Sequence, residues 1–257
     1  MSNAFVQPDA VQNLLRESAG LNISGGDERF KTIIHRLLEN ICTLIDDYNI
    51  TEEEFWHAVN YLHELGGRQE AALLAAGLGL EHFLDLRQDA IDAAEQRETG
   101  TPRTIEGPLY VANAPLADGH THMDDGKDAG EVMWLYGQVN DTQGRPVANA
   151  IVDIWHANTL GNYSFFDKSQ SEYNLRRRIR TGADGRYSVR SIMPSGYGCP
   201  PDGPTQKLLN QLGRHGNRPA HIHFFVSAPG YKHLTSQINP NGDKYLWDDF
   251  AFATRDG

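Results

Sequence analysis

Between Asp9 and about Glu98, apolar residues recur three and four positions apart, the period of helices that turn one face to a core. Phe30, Ile33, Ile34, Leu37, Leu38, Ile41 and Ile45 make one such stripe and predict an amphipathic helix with that stripe buried. Thr51 followed by Glu54 reads as a capping box, with Ile50 and Phe55 at the spacing of its hydrophobic staple. A second helix is expected from there to Gly66-Gly67. A further helical stretch should run from Arg68 to Glu98, weakened near Gly77 and Gly79. Three or four helices are expected before residue 100.

The period changes after Thr101-Pro102. Runs rich in Val, Ile, Tyr and Trp (Val132 to Val139, Ala150 to His156, Arg186 to Ile192, Ala220 to Ser227) alternate with turn signals such as Gln143-Gly144-Arg145-Pro146 and Asp184-Gly185. Short strands without helices between them favour an antiparallel sandwich over a parallel α/β sheet. The expected class is α+β, with a helical segment over residues 1–100 and a β-sandwich domain over residues 101–257.

Composition sharpens that division. Residues 1–100 hold 8 of the 25 Gly and 1 of the 12 Pro, and carry 7 basic against 18 acidic side chains. This segment therefore accounts for the whole net charge of −11, and neither part has the basic excess that a phosphate backbone requires. Nucleic acid is excluded as a partner on that ground. No apolar run is long enough to span a bilayer, so membrane insertion is not expected either. The N-terminus has no secretory pattern, and Cys42 and Cys199 are too few for a disulfide framework, so a cytoplasmic location is expected. With two thiols, any metal here must rely on nitrogen and oxygen ligands.

His221-Ile222-His223 is the most informative triplet, because residues two apart on a strand share a face and both imidazoles could reach one ion. Spacing alone also fits two histidines on a solvated face. Tyr163 and Tyr197 lie in Gly-flanked loop contexts, where a highly charged ion could favour phenolate over phenol. A turn or core aromatic fits that context equally well. His120-Thr121-His122 repeats the spacing within the Asp- and Gly-rich stretch Ala117 to Gly130 and is expected to be a solvated surface loop. The helical part's His35, His57, His63 and His82 are assigned no chemistry.

Longer motifs carry a resemblance. Thr101-Pro-Arg-Thr-Ile-Glu-Gly-Pro-Leu-Tyr110, Ile154-Trp-His-Ala-Asn158, Pro194 to Thr205 and Leu208 to His223 resemble the intradiol ring-cleaving dioxygenases, and among them the bacterial catechol 1,2-dioxygenases. The resemblance covers nearly the whole chain. It implies a non-haem Fe(III) enzyme of aromatic-compound degradation, which inserts both atoms of O2 into catechol and yields cis,cis-muconate. It also implies that Tyr163, Tyr197, His221 and His223 are the iron ligands and that Tyr197 takes a substrate proton as it leaves the metal. Arg218 would stabilise charge on the substrate ring, and Gln237 would orient the ligand shell. Leu73, Ala76, Ile105, Pro108, Leu109, Phe250 and Ala251 would form the substrate wall, which offers no cation for a ring carboxylate and so disfavours protocatechuate. A homodimer through the N-terminal helices is implied, with a lipid at the interface in some members.

Three other readings remain at this point. They are a chlorocatechol or hydroxyquinol 1,2-dioxygenase, a non-catalytic β-sandwich binding module, and a structural zinc site built on the two histidines. Members of the family usually continue for several dozen residues past the segment Asp248 to Gly257, so an exposed sheet edge is also expected here.

Overall fold

In a computed structural model, residues 5–255 are described, and Asp256 and Gly257 at the end of the last motif lie outside them. The chain forms two compact units, Met1–Glu64 and Leu65–Gly257.

In the first unit, α1 (Asp9–Ser18) is followed by α2 (Glu28–Tyr48), and α3 (Glu52–Gly67) starts within it. The Asp27 side chain accepts from the Phe30 amide at 2.9 Å and caps α2, and Asn49 ends it in the left-handed region. The capping box closes as expected, with the Thr51 amide donating to Glu54 at 2.8 Å and the Glu54 amide donating to Thr51 at 3.3 Å. The stripe on α2 departs from expectation: none of its residues is buried, and Phe30, Ile33, Leu37 and Ile41 are exposed. The helical period is there, but among the described residues the stripe is covered only in part, with Ile34, Leu38 and Ile45 half-buried.

The second unit opens with α4 (Ala71–Gly77) and α5 (Leu80–Ala94), separated where Gly79 takes a left-handed φ of 73°. Among the described residues, five helices therefore begin before residue 100, one more than expected. Asp92 on α5 is buried and paired with Lys232, Arg97 and Arg103, which ties the helix to two loops of the β region. The Lys232 ammonium contributes most to holding its carboxyl well below the usual range.

The strands are β1 (Leu116–Asp118), β2 (His120–His122), β3 (Val132–Gln138), β4 (Ile151–His156), β5 (Arg176–Arg180), β6 (Arg186–Ile192), β7 (Tyr197–Gly198), β8 (Asn217–Arg218), β9 (Ile222–Ser227) and β10 (Leu234–Ile238), with α6 (Pro204–Gln211) between β7 and β8. One sheet has the order β1-β5-β4-β9-β10, a second β2-β6-β3, and β7 pairs with β8. The pairing is antiparallel except that β1 and β2 run parallel to β5 and β6. His120-Thr121-His122 is thus a short exposed strand, not a loop, because its backbone pairs with Ser188, Val189 and Arg190.

Strand alternation decides where the core and the site lie. Val152 and Ile154 of β4, Ile179 of β5, and Ile222 and Phe224 of β9 gather with Met123 and Val189 in one buried cluster, against which Met133 and Leu135 of β3 pack. The intervening residues, Asp153, Trp155, His223 and Phe225, point to the opposite face of the five-stranded sheet. β4 is accordingly buried on both faces.

Candidate metal centre

Register sets out the site. On neighbouring strands Trp155 lies opposite His223, and His223 lies opposite Gln237, so these three side chains form a row across the outer face of the sheet. His221 precedes β9 and joins the same face. The loop after β4 brings in Tyr163, and β7 brings in Tyr197.

Four donors converge there. His221 Nε2 lies 3.1 Å from His223 Nε2, 3.3 Å from Tyr163 Oη and 3.5 Å from Tyr197 Oη. Donors that bind one ion at about 2.0–2.1 Å lie roughly 3 to 4 Å from each other, so this spacing fits a shared ion. His221 Nδ1 lies 2.7 Å from the Pro219 carbonyl oxygen, which can only accept; Nδ1 therefore carries the proton and Nε2 presents its lone pair. Among the described residues no group of three His, Cys, Asp or Glu side chains forms a metal cage, so an ion here depends on the two phenols.

Electrostatics favour neutral donors until a cation arrives. Burial, followed by the charge on Arg218, pushes the His221 imidazole well below its usual range, and burial does the same to His223. Burial, with Tyr197 beside it, holds the Tyr163 phenol well above 10. A hard, highly charged ion is what would release that proton.

Arg218 is buried with its partner. It donates to Asp249 from Nε and Nη2 at 3.2 and 3.0 Å, to Gln237 Oε1 at 2.9 Å, and to His221 Nε2 from Nη1 at 2.9 Å. Burial opposes its charge, but the Asp249 carboxylate, the largest of the opposing influences, keeps it protonated. Gln237 hydrogen-bonds Arg218 and Asn239, so it holds the arginine, and among the described residues it makes no hydrogen bond to a donor. Asp249 had no signal in the sequence beyond the rule that a buried arginine needs a carboxylate.

The expected wall divides between two clusters. Ala76, Ile105, Phe250 and Ala251 pack together with Cys199 and Leu209, and Leu73 packs against them. Leu109 packs instead with Trp155, Tyr163 and Tyr197, beside the donors. Pro108 is exposed on the loop between Ile105 and Leu109. That loop is held by Glu81, which accepts from the Glu106 and Gly107 amides at 2.7 and 3.0 Å, a role the sequence did not reveal. Gly107 has a left-handed φ of 71°, and a Cβ there would stand 3.9 Å from the His223 ring. A separate cavity of about 1020 Å³, bordered by Asp89, Arg103, Arg145 and Lys232, is lined by none of the four donors.

Comparison with known proteins places the chain in a family. Residues 105–257 match the family described as "Dioxygenase", and residues 27–96 match "Catechol dioxygenase N terminus". The chain is 58% identical over 248 residues to catechol 1,2-dioxygenase 2 of Acinetobacter lwoffii, covering 96% of this chain and 90% of that protein. It superimposes on the crystal structure of catechol 1,2-dioxygenase from Pseudomonas arvilla C-1 with a TM-score of 0.96 and 64% identity, over 98% of this chain and 82% of that one. A hydroxyquinol 1,2-dioxygenase of a Rhizobium species is more distant, at 36% identity over 90% of this chain and 78% of that protein. So is a chlorocatechol 1,2-dioxygenase from Pseudomonas putida, at 30% identity and a TM-score of 0.75 over 90% of each chain. The chain belongs to the intradiol ring-cleavage dioxygenase family and is most similar there to the bacterial catechol 1,2-dioxygenases.

Proposed function

We propose that this chain is a catechol 1,2-dioxygenase that holds Fe(III) through Tyr163, Tyr197, His221 and His223. The observation that carries the reading is the convergence of two phenols and two neutral imidazoles on one point of the sheet face. Two hard oxygen donors favour a ferric ion over the zinc that a pair of histidines alone would suggest.

Bound iron would supply the Lewis acidity that makes the catechol ring reactive toward O2. The remaining work belongs to the chain. Tyr197 is only partly buried, and as a phenolate in the loaded protein its Oη would be the group placed to take a proton from a catechol hydroxyl, becoming a neutral phenol. Arg218, held by Asp249 and Gln237, aims a fixed guanidinium at the donors, where it would stabilise negative charge on the substrate ring. Leu73, Ala76, Ile105, Pro108, Leu109, Phe250 and Ala251 would receive the ring. Being apolar, that wall favours plain catechol and disfavours a ring carboxylate, and the small Ala76 leaves room for a methyl or chloro substituent. Hydroxyquinol and chlorocatechol are the alternative substrates.

A non-catalytic binding module has no use for a buried cation beside four metal donors. The exposed stripe on α2 supports a homodimer formed through the helical segment 1–100, with residues 101–257 catalytic and with an apolar interface of the kind that would take a lipid. Free Cys42 and Cys199 fit a cytoplasmic enzyme, and no described helix is long and apolar enough to cross a membrane.

Mass spectrometry of the product formed from catechol under oxygen-18 gas tests the reaction. Muconate labelled once in each carboxylate is expected. Absence of muconate, or a single label, overturns the proposal.

A further inference from the structure

The two histidines on the sheet face are held in different ways. His221 Nδ1 donates to the Pro219 carbonyl oxygen at 2.7 Å, the usual means of fixing a ligating imidazole. His223 Nδ1 is buried and has no hydrogen-bond partner among the described residues. What meets this ring instead is an indole. Trp155, its cross-strand neighbour on β4, lies with ring centroids 4.7 Å apart and planes within 4° of parallel. The indole is itself locked edge-on by Tyr110 and Phe225, at centroid distances of 5.0 and 4.7 Å. Trp155 Nε1 is also buried without a partner among the described residues, so none of them gives this Trp the hydrogen-bonding role that usually accounts for a buried one.

We propose that Trp155 is a positioning residue for His223, its face fixing the ring plane in place of the hydrogen bond that fixes His221. The inference rests on the reading of both histidines as ligands of one ion. Aromatic contact constrains the tilt of an imidazole while leaving Nδ1 without a partner. The two ligands should therefore differ: His221 is pinned at an atom, His223 by a surface.

The test compares Trp155→Phe, which keeps an aromatic face, with Trp155→Leu, which does not. Neither variant loses a hydrogen bond, because Nε1 makes none among the described residues. The readout is the rate at which a strong chelator strips iron from the purified, iron-loaded protein. Trp155→Leu should lose iron about 10–100 times faster than the parent, and Trp155→Phe within about threefold of it. Equal rates for the two variants, or a Leu variant that retains iron as the parent does, overturn the proposal.

A second measurement needs no variant and keeps the proposal testable if the Leu protein does not fold. In the unmodified chain loaded with diamagnetic Ga(III), the His223 Nδ1 proton should resonate upfield of its His221 counterpart, shielded by the indole and lacking a hydrogen bond. Matching downfield resonances overturn the proposal. An unmodified chain that retains neither iron nor gallium removes the metal reading and this inference with it, whereas retention without the contrasts above removes this inference alone.

Discussion

Arg218 and Asp249 form an ion pair with side chains 4% and 1% exposed, and their proximity to the donors makes the arginine's position a functional matter. Removing one member of a buried pair leaves the other charge uncompensated, so Asp249→Ala should cost about 3–5 kcal/mol of stability in urea unfolding. A loss under 1 kcal/mol would mean that Arg218 finds another partner. Asp153 behaves differently. It is buried, accepts from Tyr110 Oη at 2.9 Å, and burial pushes its carboxyl up to about 6. A raised folded-state value means that the folded chain binds the proton more tightly than the unfolded chain. Stability from this group is present below about pH 4 and is lost as pH rises through about 6. Asp153→Asn is neutral throughout, so its stability relative to the parent should rise by about 1–3 kcal/mol between pH 4 and pH 7. A relative stability flat with pH would contradict that account.

At the level of elements, strands with β-branched residues at period two were legible, and β3, β4, β6 and β9 fall within a residue or two of their expected bounds. The strands that escaped notice have polar sequences. β5 reads Arg-Arg-Arg-Ile-Arg and looks solvated, yet Arg176 is buried because it bonds Ser164 Oγ at 3.0 Å and lies over the Tyr163 ring. Leu-Thr-Ser-Gln-Ile of β10 is equally unassuming, and α6 lies in a stretch marked by Pro and Gly. The donors occupy loop and strand-end positions far apart in the chain, so their grouping came from the resemblance, whereas spacing left alternatives open. Glu81 and Asp249 were illegible because each acts on a segment about 25 or more residues away with no local pattern. Glu81 at the start of α5 holds the loop that would face the ring. Glu81→Ala removes two charge-assisted bonds and should raise the KM for catechol about tenfold while leaving kcat less affected, as read by steady-state oxygen uptake. An unchanged KM would show that the loop holds itself.

At the scale of the whole molecule, the stripe of α2, none of whose residues is fully buried, is the clearest disagreement with the sequence pattern. An amphipathic helix of 21 residues with no buried residue is stable only when its apolar face is covered. Leu37→Glu places a charge in the centre of that face. If the face joins two copies, sedimentation should show a dimer for the parent and a monomer for the variant at micromolar concentration. A parent that sediments as a monomer removes the homodimer.

The sheet face remains the centre of the account: two phenols, two neutral imidazoles and a held guanidinium brought together by β4, β7, β8, β9 and the loops beside them. The visible spectrum of the purified, iron-loaded chain tests it most directly. Phenolate bound to ferric iron gives a broad charge-transfer band. That band should be present, shift to longer wavelength when catechol is added without oxygen, and decay on aeration as muconate accumulates. A chain that binds iron and stays colourless, with catechol unchanged, would contradict the assignment of Tyr163 and Tyr197 and the function built on it.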